Sequence, residues 1–155
     1  MARSGSRTTP EPPRCWMLVT TPDNYRRTRA RRFTVQGVKS RYRRLSERIG
    51  PGDRVCWYLV GIAGFVATAT VTSTAFEDHR PIWVSTGRED PYPWRFRIAR
   101  DVVREPAQAV PAASLADRLA FTRRWPRAHW RLAFQGNLHE IGRRDFGVIE
   151  RALTS

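Results

Sequence analysis

Several chemical signatures are scarce in this chain of 155 residues, which has two cysteines, three histidines and a single lysine, Lys39. Two cysteines do not make a disulfide framework, and Cys15 and Cys56 each lie in an apolar run typical of reduced core thiols. No run approaches the roughly 18 apolar residues of a membrane span, and residues 1–13 contain no hydrophobic signal region. We therefore expect a soluble, cytoplasmic protein with no membrane partner.

Recognisable catalytic motifs are also missing. The three histidines are scattered, and there is no metal-binding His or Cys spacing, no nucleophile elbow, no phosphate loop and no dinucleotide fingerprint. His139 and Glu140 are adjacent, but neighbours on a strand point to opposite faces and would not converge on one substrate atom. The sequence predicts no metal, cofactor or catalytic residue, and favours a binding protein over an enzyme.

Acidic residues are nearly absent from the first third of the chain. The chain has 28 basic and 14 acidic residues, a net charge of +14. Residues 1–48 contain twelve arginines, Lys39 and three acids, so they carry +10, and the remainder carries +4. A GC-rich coding bias could explain arginine in place of lysine, but it does not explain the missing acids.

Nine basic residues and no acid lie between Tyr25 and Arg44, with Phe33 and Tyr42 among them. This pattern fits a solvated helix face, but like charges three and four residues apart repel, which favours a polyanionic partner. We expect nucleic acid, and about five phosphate contacts would give a slope of log K against log salt of roughly −3.5 to −4.5. The predicted phosphate-binding residues are Arg26, Arg27, Arg29, Arg31, Arg32, Lys39, Arg41, Arg43 and Arg44.

The residue pattern predicts an α+β fold. Residues 1–13 are polar and proline-rich, which predicts a disordered leader before a single domain of residues 14–155. The predicted strands are residues 14–20, 54–60, 64–73 and 94–98, a possible short strand at 82–85, and a hairpin of 129–134 with 138–141. The predicted helices run from Thr21 or Asp23 to Arg31, and over 38–49, 114–121 with Ser114 as cap, and 143–153. Five to six strands and three to four helices suggest a small curled barrel flanked by helices.

Several segments in this order resemble the EVE domain family of PUA-like folds. They are the strand CWMLVT, the loop Phe33-Thr34-Val35-Gln36-Gly37, the turn Gly50-Pro51-Gly52-Asp53 leading into the strand VCWYLV, the run GIAGFVATATV, and the C-terminal RLAFQGNLHEIGRRDFGVIERAL with its Asp145-Phe146-Gly147-Val148-Ile149 pattern. The similarity extends over about residues 15–153.

This resemblance implies a PUA-like mixed β-barrel, related to YTH, ASCH and SRA domains, with a pocket that reads one modified, for example methylated, base in DNA or RNA. Any effector would be a separate protein, and we expect a monomer. The positions that match pocket-lining regions of the family are Thr20, Thr21, Phe33, Val35, Gln36, Gly37, Trp57 and Tyr58.

Alternatives remain at this point. Trp57 and Tyr58 face opposite sides of their strand, so only one can line a pocket, and each aromatic could equally be an ordinary core residue. An enzyme of the ASCH type acting on RNA or a nucleotide, and a general RNA-binding protein, are the other functions considered.

Overall fold

The computed structural model describes residues 12–155. The predicted disordered leader falls on residues 1–13, of which 1–11 lie outside the described residues. Pro12 and Pro13 are exposed and precede the first strand.

Eight strands form one mixed sheet in the order β2-β6-β4-β3-β1-β8, with short β5 and β7 attached to β6 and β4. In the described part of the chain, β1 and β3 pair in parallel, and the other pairs are antiparallel. Register shifts at Trp57/Tyr58 and Thr68/Ala69 add twist, because a bulge bends its strand. The strands are β1 (Cys15–Thr20), β2 (Val35–Val38), β3 (Arg54–Leu59), β4 (Gly64–Val71), β5 (Phe76–Glu77), β6 (Trp94–Val103), β7 (Val110–Pro111) and β8 (Leu138–Ile141).

Four α-helices and five 3₁₀ segments surround the sheet. The α-helices are α1 (Pro22–Ala30), α2 (Arg43–Ser46), α3 (Ala120–Arg123) and α4 (Arg143–Thr154). The 3₁₀ segments are Ser40–Tyr42, Pro106–Gln108, Ala112–Ser114, Ala116–Arg118 and Arg127–Phe134. The predicted α+β, PUA-like curled barrel is confirmed as a curled half-barrel with helices around it.

Both faces of the sheet are buried. Along β1, Trp16 and Leu18 enter one hydrophobic cluster with Trp57 of β3, while Cys15 and Met17 enter a second cluster on the other face. This is the strand alternation that places successive side chains on opposite sides. The continuous apolar runs of β1 and β3 therefore reflect two cores, one on each side of the sheet.

The Gly50-Pro51-Gly52-Asp53 turn is held by the buried carboxylate of Asp53. Its Oδ1 accepts from the backbone N–H of Arg14 at 2.9 Å, and its Oδ2 accepts from Trp16 Nε1 at 2.9 Å and from the backbone N–H of Gly50 at 3.0 Å. Three donors from two segments thus converge on one side chain, which fixes where β1 and β3 begin side by side.

The helix predicted over residues 38–49 is wrong in its first part and too long. Val38 instead ends β2, where it pairs with Trp94, and Gln36 pairs with Phe96. The chain then turns through a 3₁₀ segment into the four-residue α2. The apolar residues have helical spacing, but pairing with β6 makes this segment a strand. Because β6 is distant in sequence, the local pattern does not reveal this pairing.

The predicted strand at residues 129–134 is also wrong, because this segment is a 3₁₀ helix. Its alternating Trp130, Leu132 and Phe134 imitate a strand pattern. The rings of Trp130 and Phe134 contact each other edge to face, with centroids 6.0 Å apart, across one helical turn.

Two smaller predictions fail in a similar way. Residues 82–85 form no strand. The predicted helix over 114–121 is reduced to short turns and α3, and Ser114 caps no helix but donates to the carbonyl of Pro111 at 2.7 Å. Among residues 12–155, no helix is long and apolar enough to cross a membrane.

Replacing Asp53 with alanine should destabilise the domain. The substitution leaves three donors without their acceptor, all of them in buried or half-buried positions, and each such group costs about 1–3 kcal/mol. We expect urea unfolding to show a loss of about 3 kcal/mol or more, whereas Asp117→Ala, at an exposed position, should change stability by less than about 0.5 kcal/mol. Equal stability of the two variants would contradict this account of the turn.

Candidate functional site

Four segments meet at one edge of the sheet, where the parallel strands β1 and β3 both end. The carbonyl of Thr20 accepts from the N–H of Val60 at 2.8 Å, which ties these two ends together. β8 runs antiparallel to β1 and therefore begins at the same edge, where Asn137 and Val19 exchange hydrogen bonds. Helix α1 starts here too, with Thr21 as its N-cap accepting from the Asn24 N–H.

A cavity of about 380 Å³, which we call the Thr20 concavity, lies at this edge. This volume is within the range of small-molecule sites. Its lining comes from β1, α1, the segment after β2, the turn after β3, the loop before β6, and the segment before β8. The lining residues are Val19, Thr20, Thr21, Asn24, Lys39, Arg41, Val60, Val84, Thr86, Tyr92, Phe134, Gln135, Gly136 and Asn137.

The walls of the Thr20 concavity combine aromatic, aliphatic and neutral polar groups. Tyr92 and Phe134 supply the aromatic rings, and Val60 and Val84 are aliphatic side chains about half exposed, at 48% and 49%. Burial raises the pKa of the Tyr92 phenol, so this group keeps its proton near neutral pH. Lys39 and Arg41 are the two cationic lining residues, and no carboxylate from residues 12–155 lines the cavity.

The loop that carries Val84 is attached to α1 by Asn24. The Asn24 side chain is buried; its Oδ1 accepts from the Val84 N–H and its Nδ2 donates to the Val84 carbonyl, each at 2.8 Å. Nδ2 also lies 3.4 Å from the Tyr92 hydroxyl. The Asn24 amide thus replaces the neighbouring strand that this loop lacks, which explains why residues 82–85 stay close to the core without forming a strand.

The buried guanidinium of Arg95 on β6 also anchors this loop, and Arg95 is only 1% exposed. Its Nε donates to the Tyr92 carbonyl at 3.1 Å, and Nη2 donates to the carbonyls of Pro91, at 3.0 Å, and Arg80. Its Nη1 lies 3.5 Å from Asp78 Oδ1. One side chain therefore fixes both ends of the loop from residue 78 to residue 92.

On the opposite side, Asn137 connects the start of β8 to the segment after β2. Its Oδ1 accepts from the Lys39 N–H at 3.1 Å, and its own N–H donates to the Tyr42 hydroxyl at 2.9 Å. The Arg41 guanidinium lies over the Tyr42 ring, 5.0 Å from the centroid. Lys39 is thus held through its backbone N–H and Arg41 through the contact of its side chain with Tyr42, and neither makes an ion pair within residues 12–155. We call this half-buried lysine and exposed arginine the rim of the concavity.

The nine basic residues predicted to bind phosphate differ in their ionic partners. Arg27 pairs with Asp23 at 3.0 Å, Arg29 pairs with Glu105, and Arg43 lies 4.0 Å from Glu47. Within residues 12–155, the remaining six make no ion pair. They are Arg26, Arg31, Arg32, Lys39, Arg41 and Arg44, and of these only Lys39 and Arg41 line the Thr20 concavity.

Of the eight positions predicted for the base pocket, the structure places only Thr20 and Thr21 at the Thr20 concavity. Phe33 is 1% exposed and packs edge to face on Tyr25 and on Trp57, with centroids 5.5 Å away in both pairs. Tyr58 is 6% exposed, lies in the opposite cluster, and stacks on Phe134 with centroids 4.1 Å apart. These aromatic rings are core residues, and Tyr58 supports the concavity only through Phe134.

The polar members of the predicted pocket are also internal. Gln36 Oε1 accepts from Trp57 Nε1 at 3.0 Å and from Thr28 Oγ1 at 2.8 Å. Gly37 lies against the loop, since a Cβ there would stand 2.5 Å from the Tyr92 carbonyl oxygen. Val35 pairs with Arg97 at the edge of the sheet. The structure therefore does not bring Val35, Gln36, Gly37 or Trp57 to the Thr20 concavity.

Sequence reasoning missed most of the actual lining. Tyr92 stands between two prolines in a segment without strand periodicity, and Phe134 was placed in a predicted strand. Asn24 looked like an ordinary residue in the first turn of α1, and Val60 like the end of a strand. The one usable signal was Asn137 beside Gly136, whose φ of +88° marks the turn that points Asn137 into this edge.

Neither cysteine thiol is activated as a nucleophile. Burial raises the pKa of Cys15 to about 11 and raises the pKa of Cys56 further, so neither is a thiolate near neutral pH. No group of three or more His, Cys, Asp or Glu side chains in the described part of the chain is arranged to hold a metal ion.

Comparison with known proteins matches the EVE domain family model to residues 14–152. The chain belongs to the EVE domain family. The resemblance seen in the sequence is therefore confirmed. No curated protein matches the chain in sequence.

Solved structures share the fold at low identity. The YTH domain of the Zygosaccharomyces rouxii MRB1 protein, in complex with N6-methyladenosine RNA, is 16% identical, with a TM-score of 0.65 over 97% of this chain and 92% of that one. The Pho92 YTH domain in complex with m6A is 18% identical, with a TM-score of 0.65 over 98% and 90%. A hypothetical protein from Leishmania major is 15% identical, with a TM-score of 0.60 over 92% and 96%. EVE and YTH domains thus share this curled half-barrel.

Replacing Asn24 with alanine should release the loop around Val84. The substitution removes both hydrogen bonds to the Val84 backbone but leaves the backbone of α1 intact. We expect amide hydrogen exchange at Val84 to accelerate by at least tenfold and global stability to fall by about 1–3 kcal/mol. The control Asp23→Ala, which removes an exposed ion pair on the same helix, should leave the Val84 exchange rate unchanged. An unchanged rate in Asn24→Ala would contradict the proposed anchoring.

Proposed function

We propose that this EVE domain binds single-stranded nucleic acid and reads one modified nucleobase, inserted into the Thr20 concavity. The observation that carries the proposal is the composition of this cavity. Its lining has two aromatic rings, aliphatic side chains and neutral polar groups, with the cations Lys39 and Arg41 at the rim and no carboxylate from residues 12–155.

The interior suits the chemistry of a nucleobase. An inserted base is read by stacking on aromatic or apolar side chains and by hydrogen bonds to its edge. Tyr92 and Phe134 are the candidate aromatic contacts, although each is only 6% exposed, Phe134 stacks on Tyr58, and the Lys39 ammonium lies 5.9 Å from the Tyr92 ring centroid. Thr20, Thr21 and Gln135 carry the candidate polar groups. The Asn24 amide is already used by the Val84 backbone, so in this arrangement it shapes the wall rather than reading the base.

Selectivity for a methylated base would come from the aliphatic part of the wall. Burying one methyl group contributes roughly 0.8 kcal/mol, about a fourfold change in Kd. Val60 and Val84 have exposed area that such a methyl could cover. The YTH structures of the same fold are complexes with N6-methyladenosine RNA and with m6A, which supports a purine methylated on its exocyclic nitrogen as the first candidate.

The rim suits a phosphate backbone. Lys39 and Arg41 form this rim, and neither makes an ion pair within residues 12–155. Affinity would then come largely from charge, and discrimination from the neutral residues inside.

Titration of matched oligonucleotides tests the reader proposal directly. Short RNA and DNA strands with and without one N6-methyladenine or one 5-methylcytosine are compared by fluorescence anisotropy. We expect at least one methylated strand to bind about fourfold or more tightly than its unmethylated match. Equal affinities in all four pairs would exclude a reader of these two modifications and leave general nucleic-acid binding.

Val60 and Ile62 form a matched pair of variants for locating the site. Both are exposed aliphatic residues of the turn between β3 and β4, 48% and 40% exposed, but only Val60 lines the concavity. Val60→Glu should abolish the preference for the methylated strand, because a carboxylate then faces the base. Ile62→Glu adds the same charge and should keep the preference. Loss of the preference in both variants, or in neither, would show that the base binds elsewhere.

Lys39→Gln and Arg41→Gln test the rim. Each should weaken binding to methylated and unmethylated strands alike and reduce the salt slope by about 0.7. Arg144→Gln, on an exposed position of α4 outside the cavity lining, should leave the slope unchanged. A variant at Lys39 or Arg41 that changes base preference but not the salt slope would contradict the assigned roles.

A further inference from the structure

A second concavity lies next to the first, on the other side of the segment that leads into β8. It has a volume of about 600 Å³, and we call it the Trp125 groove. Gln135 lines both cavities, and Ala133 and Phe134, its near neighbours, line one each. The two cavities therefore meet at Gln135.

The Trp125 groove carries an exposed indole. Trp125 is 39% exposed and Leu132 is 37% exposed, and both line the groove. The other five tryptophans are buried or half-buried. Trp125 also lines a smaller adjoining cavity of about 310 Å³ with Arg127 and Trp130, so both sides of this residue border open space.

The segment of the chain that surrounds the groove is predominantly basic. From Arg118 to His139 the chain has five arginines and no acid. None of the five makes an ion pair within the described residues, and Arg124 lines the groove itself. Glu140, also in the lining, is paired with Arg14 at 3.3 Å and with Arg48 at 3.0 Å. The groove thus presents unpaired cations and a neutralised carboxylate.

One buried polar atom in this groove is also unsatisfied. His139 lines the cavity, and its Nε2 is buried without a hydrogen-bond partner among residues 12–155. Burial lowers the pKa of His139, so the ring is neutral at pH 7 and has one donor and one acceptor nitrogen. The neutral ring adds no charge to the groove.

The scaffold under Trp125 is rigid. The buried carboxylate of Asp145 on α4 accepts from the N–H groups of Ala120, at 2.9 Å, and Phe121, at 3.1 Å, at the start of α3. The Trp125 N–H in turn donates to the Thr122 carbonyl at 3.1 Å. An exposed indole on a fixed turn can stack on a ligand with little loss of conformational entropy.

We propose that the Trp125 groove binds a second nucleotide of the strand whose base occupies the Thr20 concavity, with its base stacked on Trp125 and its phosphate near Arg124. An exposed aromatic ring beside a cation is the usual platform for a single-stranded base, which stacks without regard to sequence. This inference rests on the proposed function, since Gln135 joins the two sites. It predicts a footprint of at least two nucleotides.

Trp125→Ala tests the groove with oligonucleotides of different length. The wild-type protein should bind a methylated hexanucleotide more tightly than the methylated mononucleotide, and Trp125→Ala should remove roughly 5- to 150-fold of the hexanucleotide affinity. Trp125→Phe should restore part of it, because a smaller ring still stacks. Ile62→Ala, which removes another exposed apolar side chain, should match wild type.

Tryptophan fluorescence supplies a second readout that a folding defect would not reproduce. Stacking should quench the emission of the exposed indole when the hexanucleotide is added, and this part of the quenching should be absent in Trp125→Ala. Hexanucleotide affinity equal to wild type in Trp125→Ala would overturn the inference and leave the groove to a protein partner. A protein that binds no oligonucleotide at all would instead contradict the proposed function, so the two failures are distinguishable.

Discussion

The candidate site depends on one buried cation. Arg95 is nearly inaccessible, and burial lowers the pKa of its guanidinium, yet an arginine retains its charge. It is stabilised by carbonyls at both ends of the loop before β6, by Asp78, and by the ring of Trp83, whose centroid lies 5.1 Å away. A charge without these partners would be costly to bury. These contacts attach the loop to the sheet and bring Tyr92 and Val84 to the concavity.

This constraint explains how a half-barrel forms a concave site at an edge of its sheet. β1, β3 and β8 supply a floor whose backbone groups are already paired, and α1 supplies Asn24, which holds the middle of the loop. The lining side chains are neutral apart from Lys39 and Arg41, and no carboxylate of residues 12–155 lines the concavity. The charge of +14 favours a polyanionic partner but specifies no base, because contacts to a phosphate backbone carry no sequence information.

Sequence reasoning succeeded where local pattern and tertiary structure agree. A helix that begins at Thr21 or Asp23, the strands β3 and β4, and helix α4 follow from capping chemistry and apolar periodicity alone, and the structure has Thr21 as the cap. It failed where a distant partner decides, as at Val38, which pairs with Trp94, and at Val84, whose backbone is held by Asn24. The aromatic residues show the same limit. Phe33 and Trp57 are as apolar as Tyr92 and Phe134, and only the three-dimensional fold separates core from cavity wall.

The most direct test of the account is a crystal structure of the protein with the methylated oligonucleotide that it binds most tightly. The account predicts the modified base inside the Thr20 concavity, between Tyr92 and Phe134, with the loop still anchored on Arg95. A base located elsewhere on the surface, with the concavity empty, would contradict it.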